Sequence, residues 1–372
     1  MKAIGIILAG GNNNRMKELT AKRAVPALPI AGSFRAIDFS LSSMSNSHIQ
    51  TVAVLTQYNA RSLNEHLSSA KWWNFGRKQG GLFLFTPTVT ADNSDWYRGT
   101  ADAMYQNIDF LKRRHEPYVI ISSGDCVYKL DFNRVLDFHI EKKSDITVVC
   151  KDMMYNDDVS RFGVVRMDDE SRITEFDEKP IDASSNTIST GIYVIRRRQL
   201  IELLEAAAEE NRFDFVNDIL VRYKNVKKIY GYKINSYWNN IADIDAYFKT
   251  NMDFLRPDVR SYFFKEEPTI CSKVDDLPPA KFNPGSDISN SLVSSGCIIN
   301  GSVEDSVLFK QVFVGKNTTV KNCVILNDVY IGDNVHLENC IVESRGTINP
   351  NTCYCGEDGV IIVKEKNVRY VI

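Results

Sequence analysis

The sequence predicts a two-domain α/β protein, in which a domain with a mixed, mostly parallel sheet precedes a parallel β-helix. Strand and helix patterns alternate over residues 1–255, which is typical of parallel sheets with crossover helices. Five prolines follow in residues 256–284, which we interpret as an interdomain linker. Residues 285–372 contain an internal repeat, and this repeat predicts the second domain.

The composition argues against several classes of partner. The 372 residues carry a net charge of −2, so neither nucleic acid nor an anionic membrane is an expected partner. No apolar run approaches the roughly 20 residues that span a bilayer. A core-like strand stands at the N-terminus, so no secretory signal is expected, and the eight scattered cysteines favour a reduced, cytoplasmic protein. Cys353-x-Cys355 leaves a metal or redox pair open beside the favoured interpretation, ordinary structural cysteines.

The first element is a strand that ends in a glycine turn. The apolar run 4–9 is followed by Gly10, Gly11, three asparagines and Arg15. Glycines let the backbone come close to a ligand, and an arginine adds a fixed positive charge, so the turn is a candidate phosphate site. The pattern is weak by itself, because many strand-to-helix turns contain two glycines.

The next elements follow the alternation of an α/β domain. In chain order we predict a helix over 34–44, a strand over 52–55, a helix with Thr100 as its N-cap, a strand over 118–122, a helix over 132–141 with Asp131 as its N-cap, and a strand over 146–150. The strand 118–122 runs into Gly124-Asp125. Ligands of open α/β sheets bind at the carboxyl ends of strands, so this turn and the first one are expected to face one crevice.

Shorter strands follow, and we expect them to form a mixed sheet over the crevice. They cover 162–165, 173–176 and 190–195. Helices are predicted over 199–210 and 213–223, then a strand over 228–232, a turn over 237–241 and a last helix over 243–255.

The second domain repeats its sequence pattern at a constant offset. Residues 312–325 match 329–342, and within each copy aliphatic residues recur six apart, as in Val314 and Val320 or Ile331 and Leu337. A coil of three short sides with an aliphatic residue at each corner is a parallel β-helix. An ordinary β-sandwich is the alternative, and the regularity of the repeat disfavours it.

Several motifs together resemble the sugar-nucleotide pyrophosphorylases, and closely the bacterial glucose-1-phosphate adenylyltransferases. The matching stretches are 8–11, 22–24, 34–39, 55–58, 96–103, 105–107, 124–125, 162–164, 176–180 and 191–193. The resemblance covers nearly the whole chain. It implies a Rossmann-like nucleotidyltransferase domain followed by a left-handed β-helix of hexapeptide repeats. It also implies transfer of the adenylyl group of ATP to glucose 1-phosphate, with release of pyrophosphate.

The nucleotide half of the implied site departs from the family pattern at three positions. Gly10, Gly11 and Arg15 match the triphosphate loop, but Asn13 replaces its third glycine. Val25 stands where the family has a lysine, and a valine cannot neutralise a phosphate. Of the two aspartates that hold Mg²⁺ in the family, Asp125 is kept and the other is Asn240, whose amide is a weaker, neutral ligand.

The resemblance implies that the sugar-phosphate half is kept. The matching positions are Tyr97, Gly163, Glu178, Lys179 and Ser189. A lysine can bind a phosphate and a glutamate can accept hydrogen bonds from sugar hydroxyls, although a surface ion pair is the alternative for Glu178 and Lys179. Three further residues match an activator site of the family, with solvated loop charges as the alternative: Lys22, Arg23 and Arg35.

An intact scaffold with a damaged nucleotide half suggests a regulatory role. The chain resembles the GlgD-type regulatory subunits. This resemblance implies a weakly active or inactive chain that assembles with a catalytic subunit, as a heterotetramer, in glycogen biosynthesis. Mg²⁺ would be a cofactor only if nucleotide binding is retained. An active glucose-1-phosphate adenylyltransferase with a rearranged metal site is the alternative, and a sugar-phosphate sensor is a third hypothesis.

Overall fold

The computed structural model describes residues 2–11, 14–76, 80–89, 95–154 and 157–364. The strands of the first domain are β1 (Ala3–Ala9), β2 (Pro29–Ile30), β3 (Phe34–Arg35), β4 (Thr51–Thr56), β5 (Gly81–Phe85), β6 (Tyr118–Ser123), β7 (Cys126–Tyr128), β8 (Ile146–Asp152), β9 (Gly163–Met167), β10 (Ile173–Glu178), β11 (Thr187–Arg196), β12 (Ile229–Lys233) and β13 (Trp238–Asn240). The α-helices are α1 (Ala36–Asn46), α2 (Arg61–Leu67), α3 (Thr100–Tyr105), α4 (Ile108–Lys112), α5 (Phe132–Glu141), α6 (Arg197–Glu209), α7 (Ile244–Asp253) and α8 (Pro257–Phe264).

A nine-stranded mixed sheet forms the centre of the first domain. Its main path runs β10-β9-β11-β6-β1-β4-β5, and β8 pairs with both β11 and β12. The pairs β6–β1, β1–β4, β4–β5 and β8–β12 are parallel, whereas β10 and β11 run against the other strands. The predicted mixed, mostly parallel sheet is therefore confirmed.

Tertiary contacts explain where local predictions and structure differ. Asp131 caps α5 as predicted, since its carboxylate accepts a hydrogen bond from the Asn133 N–H at 3.0 Å. Thr100 is not the N-cap of α3, because Gly99 takes that place and the Thr100 hydroxyl accepts the Phe215 N–H at 2.8 Å. The helix predicted over 213–223 is present over 215–223, and its central segment, Val216–Val221, is π-helical.

The second domain is the predicted left-handed parallel β-helix, built from three five-stranded parallel sheets. In chain order its strands are β14 (Lys281–Phe282), β15 (Asp287–Ser289), β16 (Leu292–Val293), β17 (Ile298–Ile299), β18 (Ser302–Glu304), β19 (Val307–Leu308), β20 (Phe313–Val314), β21 (Thr319–Lys321), β22 (Val324–Ile325), β23 (Tyr330–Ile331), β24 (His336–Glu338), β25 (Cys340–Val342), β26 (Thr347–Ile348), β27 (Cys353–Cys355) and β28 (Ile361–Val363). Every third strand belongs to the same sheet, so each coil lies on the one before it. Val320 pairs with Leu337, its counterpart in the next copy of the repeat, in this way.

Asparagines shape the corners between these strands. Asn317, Asn334 and Asn351 have positive φ angles, a conformation that asparagine tolerates better than most residues. Their amide groups also bond from coil to coil, from Asn317 to Asn334 at 3.3 Å and from Asn334 to Asn351 at 3.1 Å. These bonds stack successive coils in register.

One apolar cluster joins the two domains. Residues 256–284, predicted as a linker, contain α8, whose Phe263 is buried with Phe254. The same cluster includes Val307 and Phe309 of the β-helix. The two domains therefore share a hydrophobic contact. Among the described residues, no helix combines the length and the hydropathy needed to cross a membrane.

Candidate functional site

The glycine turn after β1 and the turn after β6 lie at the same edge of the sheet. Leu8 pairs with Ser123 across the parallel strands, and the Gly124 N–H donates to the Leu8 carbonyl at 3.0 Å. This is the crevice edge that the strand order predicts.

The two glycines of the first turn differ in what surrounds them. A Cβ at Gly10 would lie 3.3 Å from the Cβ of Gln57, so this glycine allows a close approach of the chain to itself. No described atom lies within 4 Å of a Cβ placed on Gly11. Arg15 is exposed in the 3-10 helical segment Asn14–Thr20 that follows, and Asn13 lies outside the described residues. Only Gly11 thus has the open surroundings that a bound phosphate would need.

The structure brings Asp125 and Asn240 together, as the resemblance implies. Strands β7 and β13 pair so that Asn240 lies opposite Cys126, and the Ile241 N–H donates to the Asp125 carbonyl at 3.0 Å. The Ser123 hydroxyl donates to Asp125 Oδ1 at 2.5 Å. Burial, reinforced by the Asp125 carboxylate, raises the pKa of the Cys126 thiol, so this thiol is neutral.

The side chain of Asn240 is engaged within the protein. Its oxygen accepts the Ala242 N–H at 2.9 Å, and its amide nitrogen donates to Cys126 Sγ at 3.4 Å. A magnesium site of the family type needs a second anionic oxygen at this position. The donors present, one carboxylate and one amide already bonded to the backbone, do not fit such a site.

Val25 is part of the hydrophobic core. Its side chain is 5 % exposed, and it belongs to the same apolar cluster as Met16, Leu19 and Leu28. The position implied for a phosphate-binding lysine is thus filled by an apolar side chain that packs beneath the turn following the glycine loop.

The predicted sugar-phosphate residues Gly163, Glu178 and Lys179 are neighbours. A Cβ at Gly163 would lie 3.0 Å from Glu178 Oε2 and 2.8 Å from the ring of Phe176, so only glycine leaves room for this carboxylate. Lys179 follows β10 with a positive φ, its N–H donates to the Phe162 carbonyl at 3.1 Å, and its ammonium lies 3.1 Å from Glu178 Oε1. The lysine side chain is 62 % exposed and can reach an anionic ligand.

Ser189 and Tyr97 form two further polar positions. The Ser189 hydroxyl donates to the buried hydroxyl of Tyr193 at 3.3 Å, and Glu178 lies close enough to contribute to the raised pKa of Tyr193, which burial chiefly causes. Tyr97 is held at its backbone by the amide of Gln57, with contacts of 2.7 and 3.2 Å. The structure therefore brings Ser189 to Glu178 through Tyr193.

Two contacts that the sequence analysis did not predict link the two halves of the site. The ring of Phe162 lies 5.7 Å from the ring of Trp238, next to Asn239 and Asn240. Arg161 forms an ion pair with Asp243, the N-cap of α7. Its signal in the sequence was its position directly before the matched stretch 162–164.

A separate cavity of about 980 Å³ lies between the first domain and the β-helix. Lys22, Arg23 and Arg35, the predicted effector residues, line it together with Lys310 and Arg345 of the β-helix. Arg35 donates to the Ser62 carbonyl at 2.8 Å, and burial lowers the pKa of its guanidinium. Four acidic residues, Glu65, Asp275, Asp328 and Glu343, also line the cavity, and Lys310 pairs with Asp275 at 2.7 Å. Seven lysines and arginines from both domains still leave the lining with a positive balance.

Comparisons with known proteins show the family to which the chain is related. The nucleotidyl transferase family model matches residues 4–256, and a model of the GlmU-like C-terminal hexapeptide matches 278–361. A protein of Geobacillus stearothermophilus is 39 % identical over 97 % of this chain and 94 % of its own length. Proteins of Clostridium novyi and Bacillus subtilis are 38 % and 36 % identical, over 85 % and 86 % of this chain and 84 % of their own lengths. All three are named glucose-1-phosphate adenylyltransferase.

Proposed function

The chain belongs to the glucose-1-phosphate adenylyltransferase family, and we propose that it is a regulatory subunit with little or no turnover of its own. In this proposal it assembles with a catalytic subunit, as a heterotetramer, and raises the rate at which that subunit forms ADP-glucose for glycogen synthesis. The GlgD-type resemblance of the sequence points to the same role.

The proposal rests mainly on one observation, the hydrogen bonds that the neutral side chain of Asn240 makes within the protein. The reaction transfers an adenylyl group between phosphates, and it needs cations held on those phosphates. At Asn240 a neutral amide is bonded to Ala242 and Cys126, and at position 25 a buried valine replaces a cation. One lost transition-state contact costs about 10²–10³ in rate, so the lone chain is expected to be nearly inactive.

The sugar-phosphate half supports binding rather than chemistry. Lys179 supplies an exposed ammonium for a phosphate, and Glu178, held in place beside Gly163, supplies acceptors for hydroxyl groups. The basic cavity lined by Lys22, Arg23 and Arg35 is suited to an anionic effector.

The β-helix offers a surface for assembly. On its first sheet, the rings of Phe313 and Tyr330 stack at 4.7 Å, and Ile298 in the preceding coil is 39 % exposed. Ile298, Phe313 and Tyr330 occupy one line across paired strands. Such a line of apolar side chains at a surface is suited to contact with another subunit.

The test is an assay of ADP-glucose formation by the chain alone, by a catalytic subunit of the same organism alone, and by their mixture. The proposal predicts negligible turnover by the chain alone and a higher rate for the mixture than for the catalytic subunit alone. Strong turnover by the lone chain would favour the alternative, an active transferase in which Asp125 holds the metal with water and phosphates. A mixture that gains nothing would overturn the regulatory role.

A further inference from the structure

A group of metal-binding side chains lies on the outer face of the β-helix, far along the chain from the site above. His336, Glu338 and Cys355 each offer a ligand atom, and these atoms lie within 4.8 Å of one another. Cys353 Sγ lies 3.6 Å from Cys355 Sγ, and the imidazole of His336 lies 3.6 Å from the carboxylate of Glu338. We propose that these four residues form a zinc-binding site that clips the last coil of the β-helix to its neighbour.

The coil geometry explains why the four side chains meet. Strands β24 and β27 are parallel neighbours, and their register pairs His336 with Cys353 and Glu338 with Cys355. The two members of each pair are separated by the offset of the repeat. Alternate residues of a strand share a face, and Leu337, between the two ligands of β24, is fully buried. All four ligands therefore project from the same side of the sheet.

The backbone already holds this arrangement. The His336 N–H donates to the Thr352 carbonyl at 3.0 Å, and the Gly356 N–H donates to the Glu338 carbonyl at 3.0 Å. These bonds enclose the four ligands at both ends of the strand pair. Binding would therefore need side-chain rotations and little movement of the main chain.

The donor types and the sulfur separation both suit zinc. Zn²⁺ takes four ligands from cysteine, histidine and carboxylate side chains in a tetrahedron, with Zn–S bonds of about 2.3 Å, which places two bound sulfurs about 3.8 Å apart. The observed 3.6 Å is close to that value and much longer than the roughly 2.05 Å of a disulfide. Soft thiolates also disfavour Mg²⁺ and Ca²⁺, which prefer oxygen.

The position suggests what the ion would do. In its sheet, β27 is the last strand and pairs only with β24 among the described strands. A terminal repeat of a stacked fold lacks one of the two neighbours that stabilise an inner repeat. An ion held by two ligands from each strand would stabilise the last coil in place of that missing interface.

The experiment uses the full chain, kept reduced and stripped of metal, and titrates it with Co²⁺ and then Zn²⁺. We expect one equivalent of Co²⁺ to give thiolate charge-transfer absorption, which Zn²⁺ then displaces. Combined replacement Cys353→Ser and Cys355→Ser should remove this absorption and weaken zinc binding at least about 100-fold. Cys271→Ser, at an exposed free cysteine elsewhere, is the matched control and should bind as the parent does.

Thermal unfolding gives a second, independent measurement. Zinc should raise the unfolding midpoint of the parent and of Cys271→Ser, and leave that of the double variant unchanged. Circular dichroism of the metal-free variants checks that all are folded. The proposal is overturned if the reduced parent shows no charge-transfer absorption, or if the folded double variant binds zinc as tightly as the parent.

Discussion

Asn240→Asp restores a second carboxylate beside Asp125 and tests which feature of the site was lost. An aspartate can still accept the Ala242 N–H, now as a charge-assisted bond, and it loses the donor that Asn240 directs at Cys126 Sγ at 3.4 Å. Sulfur is a weak acceptor, so this loss costs less than about 1 kcal/mol.

Repulsion between the two carboxylates is the larger effect. Asp125 directly precedes Cys126, which lies opposite position 240 in the paired strands. When two carboxylates share a site, the pKa of one of them rises by about 1–2 units. This rise corresponds to a loss of about 1.4–2.7 kcal/mol in the free energy of unfolding at neutral pH. Because the carboxyl pKa is raised in the folded state, the destabilisation is present at neutral pH. It disappears as the pH falls below about 4, where the carboxyl group is protonated in both the folded and the unfolded state. A divalent cation relieves the same repulsion, so the Mg²⁺ affinity should increase about 10- to 100-fold.

Calorimetric titration of the variant and the parent with Mg²⁺ measures this difference. Asn239→Asp is the matched control, because the change is chemically identical and Asn239, opposite Val127, bonds to the Thr250 hydroxyl at 2.7 Å. A folded Asn240→Asp protein that binds Mg²⁺ no better than the parent refutes the reasoning. An Asn239→Asp protein whose Mg²⁺ affinity increases by the same factor also refutes it.

Three further changes test other parts of the molecule. Val25→Lys should lower the free energy of unfolding by about 2–4 kcal/mol, because it removes a buried apolar side chain and buries an ammonium; denaturant titration beside Val226→Lys, at a 76 % exposed position, checks this. Gly163→Ala should weaken glucose 1-phosphate binding at least about fivefold in calorimetry, because its Cβ would displace Glu178. Burial, with Arg196 nearby, lowers the pKa of His139 to about 4. As the pH falls, the histidine is therefore protonated in the unfolded chain before it is protonated in the folded one. The free energy of unfolding should fall by up to about 3 kcal/mol between pH 6.5 and 4, and this fall should be smaller in His139→Gln.

The second domain could be predicted from the sequence because every coil repeats the same spacing of aliphatic residues. An aliphatic side chain and its counterpart in the next copy, such as Val320 and Leu337, lie on adjacent strands of one sheet. The first domain was predictable where local chemistry determines the structure, as in the Asp131 cap of α5. Thr100 was predicted wrongly because its hydroxyl accepts a hydrogen bond from Phe215, which is far away in the sequence.

For the candidate site, the sequence identifies departures from the family pattern but not the contacts that these residues make in the folded chain. The sequence shows that Asn240 and Val25 depart from the family pattern. It does not show that the Asn240 oxygen is bonded to the Ala242 N–H, or that Val25 packs with Met16 and Leu19. The sequence also did not reveal the full set of residues in the proposed zinc site. It identified only Cys353 and Cys355, and the register of the coils shows that His336 and Glu338 lie beside them.

Equilibrium dialysis of ATP against the lone chain, with and without Mg²⁺, tests the central claim most directly. Since a neutral amide and a buried valine replace a carboxylate and a lysine, we predict no binding that depends on the metal. Tight binding of ATP that appears only with Mg²⁺, and that Asp125→Asn abolishes while the chain remains folded, would contradict the account.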